Sequence, residues 1–142
     1  MPEMLIRQYS ADNENAIIEL WQRCGLTRPW NDPRKDIARK LKVNPELFLV
    51  GFVNGKVAAS AVAGYEGHRG WVNYLAVDPD FQRKGLGRQM MQNVEQALAQ
   101  TGCPKVNIQV RTGNLNAIEF YKNLGYKIDE TVSMGKRLEE DT

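Results

Sequence analysis

Two glycines, Gly85 and Gly87, stand two residues apart in "AVDPDFQRKGLGRQMM", residues 76–91, with Arg83, Lys84 and Arg88 around them. The stretch follows an apolar, strand-like run, "GWVNYLAV", and leads into a helical pattern built on Leu86, Met90, Val94 and Leu98. A strand feeding a helix through glycines suits an anion. The first N–H groups of a helix lack internal partners, and its dipole favours negative charge there. Glycine has no Cβ, so ligand oxygens can approach the backbone. A basic turn into a surface helix would look the same, and spacing alone leaves both readings open. The common nucleotide loops do not fit. A P-loop needs a Lys-Ser/Thr pair after its last glycine, where Arg88-Gln89 stands. A Rossmann fingerprint needs a third glycine three residues after Gly87, where Met90 stands.

A second pair of interest is Asn114 and Tyr121 in "NLNAIEFYKNLG", a helical pattern with Gly125 as its stop. Seven residues make nearly two turns, so both face one side, roughly 10 Å apart along the axis. Such a pair can serve two points on one extended ligand, although by spacing alone a helix-face aromatic in the core is the plainer reading of Tyr121. Glu66 and His68 stand in a polar loop, "GYEGHRG", as candidate proton acceptors or as plain loop tips. Cys24 and Cys103 are poor nucleophile candidates, one on an apolar helix face and one in a turn with no His nearby in sequence. One His and no Cys/His/carboxylate spacing argue against a metal.

The elements that must position these residues follow from periodicity and turn signals. The chain has 142 residues, a size for a single domain over 1–142 with one core. "MLIRQY" reads as a first strand. "DNENAIIELWQRCG" is a helix with Ile17, Leu20, Trp21 and Cys24 on one face, Asp12 as cap and Gly25 as stop. "NDPRKDIARKLKV" is a second helix with Pro33 in its first turn, Ile37 and Leu41 inward, and a basic outer face. "LFLVGFV" and "KVAASAVAGY" form a hairpin about Asn54-Gly55, with "GWVNYLAV" as a third strand. "KVNIQVR" is a strand, "YKIDETVSMGKRL" supplies one or two more, and the tail "EEDT" is expected to fray. This order is a mixed α/β sheet with helices on its faces, α+β in character, rather than a regular βαβ alternation.

Composition excludes some classes. With 42% apolar and 25% charged residues, disorder is not expected. A net charge of +2 does not argue for nucleic acid. No apolar run approaches the ~20 residues of a membrane span. The start shows no secretion signal, and the two distant cysteines fit a reducing cytoplasm.

Taken together, the motifs resemble a known family. "QRKGLG" is similar to the Gln/Arg-x-x-Gly-x-Gly/Ala signature of the GCN5-related N-acetyltransferases (GNAT). "NLNAIEFYKNLGY" resembles that family's Asn-x-x-Ala-x-x-x-Tyr-x-x-x-Gly-Phe/Tyr motif, with Asn114, Ala117, Tyr121, Gly125 and Tyr126 in place. "LAVDPDFQRKGLGR" is especially similar to bacterial ribosomal-protein N-terminal acetyltransferases (RimI-like) and their YpeA-type relatives. The resemblance implies a central, mixed, mostly antiparallel sheet of six or seven strands flanked by about four helices. It implies acetyl-coenzyme A as co-substrate, no metal, and transfer to a primary amine on a peptide N-terminus or a small molecule.

By the same resemblance, the amides of Arg83, Lys84, Gly85, Leu86, Gly87 and Arg88 would cradle the cofactor's diphosphate. Leu75, Ala76 and Val77 would run beside the pantetheine, and the Val77 N–H would polarise the thioester carbonyl. Asn114 would bond the pantetheine, and Tyr121 would act as general acid to the departing thiolate. Those relatives carry a base glutamate where this chain has Gln109, which cannot usefully take a proton. Glu66, His68 or Glu119 would replace it, directly or through a water that Tyr74 helps to order, with Glu66 the first choice; or the acceptor is a low-pKa amine that needs little help. Arg28, Trp30, Tyr74 and Gln109 are the expected acceptor contacts. The closing segment is shorter than in those relatives, which leaves the acceptor side more open.

A cytoplasmic enzyme acting by direct transfer in a ternary complex is therefore expected, as monomer or homodimer, with no nucleic-acid or membrane partner. The alternatives are a non-catalytic acyl-coenzyme A-binding or sensing module, and a nucleic-acid binder using the basic second helix.

Overall fold

The alternating runs on either side of Asn54-Gly55 fold as expected. β2 (Phe48–Val53) and β3 (Lys56–Tyr65) pair antiparallel, with Val53 opposite Lys56 across a two-residue turn. Asn54 and Gly55 both take positive φ, 51° and 78°, as a tight hairpin turn of this hand requires. The structure is a computed structural model and describes residues 3–141. The chain divides into two compact units, Met1–Ile108 with Asp141–Thr142, and Gln109–Glu140.

The first unit holds one sheet in the order β1-β2-β3-β4-β5. β1 (Leu5–Gln8), β2, β3 and β4 (Gly70–Val77) are successively antiparallel, and β5 (Val106–Ile108) lies parallel to β4. The expected mixed, mostly antiparallel sheet is present, with five strands among the described residues rather than six or seven. The difference lies in "YKIDETVSMGKRL", which forms no strand.

Helices cover both faces. On one side α1 (Glu14–Arg23) and α2 (Pro33–Lys40) bury Ile17, Ile18, Leu20, Trp21 and Ile37 against Phe48, Val50 and Ala76. On the other, α3 (Leu86–Gln100) buries Leu86, Met90, Val94 and Leu98, the stripe that sequence periodicity predicts, and Met91 beside them. Leu86 joins Val53 and Ala58, with Val77 and Phe81 partly buried beside them. Burying each such side chain contributes about 1.5–3 kcal/mol, so these stripes hold the helices in place. No helix among the described residues is long and apolar enough to cross a membrane.

Three local readings need correction. Ser10, not Asp12, caps the first helical segment, a 3-10 turn (Ala11–Asn13) whose Asp12 N–H donates to the Ser10 hydroxyl. Leu41 is 44% exposed, because α2 ends at Lys40 before the apolar stripe repeats. The tail does not simply fray: Asp141 is buried and accepts bonds from the Asp32 N–H at 2.7 Å and from Arg39 at 2.6 Å. A carboxylate meets a cation and an unpaired helix-end donor there, and that outweighs the tendency of termini to loosen.

The second unit contains α4 (Leu115–Asn123). It closes at Gly125, φ +96°, where the Tyr126 N–H donates to the Tyr121 carbonyl and the Gly125 N–H to that of Lys122.

Candidate active site

The strand that feeds the glycine loop is irregular where a ligand would need it to be. β5 pairs with β4 only at Gly70, Trp71 and Val72. On the β3 side, Ser60 faces Ala76 and Val62 faces Asn73, so Tyr74 and Leu75 together oppose Ala61 in a β-bulge. Tyr74 sits at φ +53°, a conformation a bulky side chain adopts only when its surroundings hold it. The brace is visible. Buried Ser60 accepts from Trp21 Nε1 at 2.9 Å and donates to the Tyr74 carbonyl at 2.8 Å. The Tyr74 ring stacks on Trp21 with centroids 3.8 Å apart.

Beyond the bulge, the outer edge of β4 has no strand partner among the described residues. Asp78 N–H donates inward to the Ala58 carbonyl at 2.8 Å. Successive amides alternate between a strand's two edges, so the Val77 and Leu75 N–H groups point to the open edge. The strand end is clamped. Asp78 is buried, binds Arg23 Nη1 at 2.5 Å, and accepts the Asp80 N–H at 2.9 Å. The Val77 carbonyl accepts from Gln82 Nε2 at 2.9 Å and from the Cys24 thiol at 3.2 Å. Burial, and then the Asp78 charge, push the Cys24 thiol above its usual pKa, which keeps it protonated and a poor nucleophile.

The loop then turns through a short 3-10 segment (Pro79–Phe81) into α3. Arg83 and Gly85 take φ +63° and +80°. Gly85 is the N-cap of α3, and with no side chain it bonds none of the first amides. The first turn carries no acidic residue. Arg83, Lys84 and Arg88 are exposed around it, and Lys84 Nζ lies 5.6 Å from the centre of the Phe81 ring. An anion placed here would meet bare backbone donors, a helix dipole and three cations. Among the described residues no group of His, Cys, Asp and Glu could hold a metal.

In the second unit, Asn114 caps α4, its Oδ1 accepting the Ala117 N–H at 3.2 Å. Capping uses the amide oxygen and leaves the NH2 to donate. Tyr121 packs edge-on against Phe120 and Tyr126, at 5.0 and 5.7 Å between centroids. Burial raises its pKa to about 12. Gln109 donates from Nε2 to Ser133 Oγ.

The structure removes Glu66 as a base for this edge. Its carboxylate accepts the backbone N–H groups of His68 and Arg69, each at 2.5 Å. Those bonds, Arg69's first, hold its pKa below the usual carboxylate value. It also lies at the wrong end of the ladder: Tyr65 pairs with Gly70 and Ala59 with Val77. Six residues of strand, roughly 20 Å, separate those pairs. Arg28 turns back to the Gly25 and Thr27 carbonyls at 2.7 and 2.9 Å, whereas Trp30 is 48% exposed on the same loop.

Sequence reasoning missed Arg23, Asp36, Ser60 and Asp78. Tyr74 Oη donates to Asp36 Oδ2 at 2.6 Å, across 38 positions, and Arg23 meets Asp78 across 55. A linear pattern carries no signal for such pairs, although Asp before Pro79 marks a place where the strand must stop.

Comparison with known proteins agrees with this architecture. Residues 11–126 match the model of the acetyltransferase (GNAT) family. An acetyltransferase of Pectobacterium atrosepticum is 46% identical over 97% of this chain and 98% of its own. An uncharacterized N-acetyltransferase of Yersinia pestis is 46% identical over 95% and 96%. Among solved structures, the ribosomal-protein-S18-alanine N-acetyltransferase from Escherichia coli superposes with a TM-score of 0.73 at 29% identity, over 87% of this chain and 77% of its own. Ard1 from Thermoplasma volcanium gives 0.76 at 26%, over 89% and 84%. Bulge, open edge and glycine-capped helix thus stand in a chain that belongs to the GNAT family and is an N-acetyltransferase.

Proposed function

We propose that the protein moves the acetyl group of acetyl-coenzyme A directly to a primary amine, within a ternary complex. The observation that carries this reading is the continuity of the open β4 edge with the acid-free, glycine-capped start of α3. It is one run of outward backbone donors ending in positive charge, suited to a long ligand with an amide-rich arm and a diphosphate. Acetyl-coenzyme A is that co-substrate.

In the mechanism, the first amides of α3 hold the diphosphate, helped by Arg83, Lys84 and Arg88. Leu75, Ala76 and Val77 lie along the pantetheine, and the Val77 N–H donates to the thioester oxygen as charge develops on it. The bonds of Gln82 and Cys24 to the Val77 carbonyl, and of Arg23 to Asp78, fix the peptides on either side of that donor. Asn114 donates to the pantetheine.

Tyr121 donates to the departing thiolate. With a pKa of about 12 it keeps its proton throughout the neutral range. Full transfer to a thiolate of pKa ~8.5 would be uphill by about 5 kcal/mol, so the phenol acts mainly as a hydrogen-bond donor to the developing charge. The protonated Cys24 favours direct transfer over an acetyl-enzyme.

The favoured acceptor is an amine of low pKa. An α-amine near ~8 is roughly one-tenth neutral at pH 7, whereas a lysine amine near ~10.4 is almost wholly charged. Likeness to the S18-alanine enzyme supports peptide N-termini as the first acceptors to try. Peptides with free N-termini, polyamines, amino acids and aminoglycosides should be screened with acetyl-coenzyme A. Tyr121→Phe is expected to lower kcat by about 100-fold while coenzyme affinity stays within about threefold. An unchanged kcat would remove Tyr121 from the chemistry.

A further inference from the structure

With Gln109 unable to take a proton and Glu66 placed at the far end of the ladder, the acceptor's ammonium needs another destination. The structure brings one pair together next to the open edge. Tyr74 immediately precedes Leu75, and its hydroxyl donates to Asp36 Oδ2 at 2.6 Å. The phenol is fixed at both ends, by Ser60 on its carbonyl and by Trp21 under its ring. Asp36 is in the first turn of α2, and its side chain is 28% exposed, open to an arriving group.

The cations around Asp36 bond mainly to other partners. Arg39 reaches Asp36 Oδ1 at 3.2 Å but makes its shorter bond, 2.6 Å, to Asp141. Lys35 donates to the Asp141 carbonyl, and Lys40 to that of Ala63. Arg34 pairs with Glu14, and Asp32 caps α2 by accepting the Arg34 N–H. Neither Trp21 nor the bulge itself adds a charge. A phenol that donates to a carboxylate turns its own lone pairs outward, and the partner makes them better acceptors.

We propose that the Tyr74 hydroxyl, backed by Asp36, receives the ammonium of the acceptor and takes its proton. This rests on the amine-acetyltransferase reading above. The ammonium N–H bond breaks as its proton joins Tyr74 Oη, while the phenol's own proton passes to Asp36 Oδ2. The nitrogen keeps the electron pair and forms the C–N bond to the thioester carbon. The C–S bond breaks, and its electrons leave with the thiolate. The nitrogen's second proton goes to solvent, and protonated Asp36 later returns its own the same way. Tyr74 is then a catalytic residue and Asp36 a positioning residue acting through it. The acceptor class that needs them is the primary amine charged at neutral pH.

Two acceptors of nearly the same shape test this. Phenethylamine is charged at neutral pH; O-benzylhydroxylamine, with oxygen replacing one methylene, is not. Wild type, Tyr74→Phe and Asp36→Asn would be assayed on both, with acetyl-coenzyme A. Tyr74→Phe keeps the ring on Trp21 and removes only the hydroxyl. The expected result is a loss of about 100-fold in kcat/KM on phenethylamine and under about threefold on O-benzylhydroxylamine, with KM for acetyl-coenzyme A unchanged. The phenethylamine deficit should shrink as pH rises towards that amine's own pKa. Equal losses on both acceptors, or no loss on either, overturn the proposal. A wild type that binds acetyl-coenzyme A by calorimetry yet acetylates neither these two amines nor any peptide, polyamine, amino acid or aminoglycoside of the screen overturns the amine-acceptor reading and this inference with it. Activity of wild type on both amines with unselective variants overturns the inference alone.

Discussion

The N-termini of α2 and α3 are built in opposite ways. α2 begins at Asp32, whose carboxylate accepts the Arg34 N–H at 2.9 Å, while the Asp141 carboxylate takes the Asp32 N–H at 2.7 Å. Asp36 adds a third negative charge within the first turn. α3 begins at Gly85, with no side-chain cap and no acid in its first turn. Both helices present positive dipole ends and unpaired amides. One end is satisfied by the chain's own carboxylates and serves the fold. The other carries no acid of its own, as the proposed diphosphate site requires. Basic residues alone do not tell the two apart, since α2 carries Arg34, Lys35, Arg39 and Lys40. What separates them is where the acids are.

The sharpest way to break this contrast is to give α3 its own anion. Gly87→Asp should weaken acetyl-coenzyme A binding by about 100-fold, the loss of several charge-assisted bonds at once. A carboxylate in a first helical turn stabilises by about 0.3–1 kcal/mol, so the melting temperature should hold or rise. Calorimetric binding and thermal melting read the two effects separately, and unchanged affinity would refute the anion site.

Next in size is the clamp that ties α1 to the end of β4. Asp78→Ala leaves Arg23 with only the exposed Asp80 carboxylate, at 3.3 Å, and the following turn uncapped. Removing one partner of a buried pair costs about 3–5 kcal/mol. Arg23 is 39% exposed and re-solvates, so a loss nearer 2 kcal/mol is expected in urea unfolding. A larger fall in kcat than in coenzyme affinity should accompany it, because Val77 precedes Asp78 directly. A loss confined to stability would show that the strand end needs no clamp.

Opening the α2 end should do less. Asp141→Ala removes bonds to Arg39 and to the Asp32 N–H, and about 1–2 kcal/mol of stability is expected to go with them. Coenzyme affinity should stay as in wild type. A drop there would make α2 part of the cofactor site and erase the contrast.

The smallest effect is a matter of sign. Burial and then Asp36 raise the pKa of Tyr74 above its ordinary ~10. Below pH ~10 the phenol is protonated in both folded and unfolded chains. As pH rises past that value the unfolded chain ionises first, so stability should decline there. Tyr74→Phe should flatten the alkaline slope. An unaltered slope would mean that neither burial nor Asp36 shifts the phenol.

Much of this contrast was half legible. The α3 stripe, the hairpin about Asn54-Gly55 and the helix stops at Gly25 and Gly125 follow from periodicity and glycine conformation, which are local properties. Gly85, Gly87 and their cations were legible as either an anion cradle or a basic turn into a helix. Glu66 misled because a carboxylate in a polar loop looks available; its turn of backbone donors and its end of the ladder are three-dimensional facts. Asp141 misled because a charged terminus ordinarily loosens. "YKIDETVSMGKRL" alternates partly, yet Ile128, Val132, Met134 and Leu138 are all strongly exposed, and alternation without a partner strand does not make a ladder.

By itself the sequence determined the helices and the strands of the sheet, the closing segment excepted, and where glycine allows left-handed backbone. Nearest-neighbour sterics and side-chain period decide those matters. Only the tertiary structure decided that β4 bulges at Tyr74 and parts from β5 beyond Val72, that Asp36 stands against a phenol 38 positions away, and that Asp141 closes the α2 end. Each depends on which distant polar groups the packed core brings within bonding distance, and buried polar groups must find those partners or lose stability.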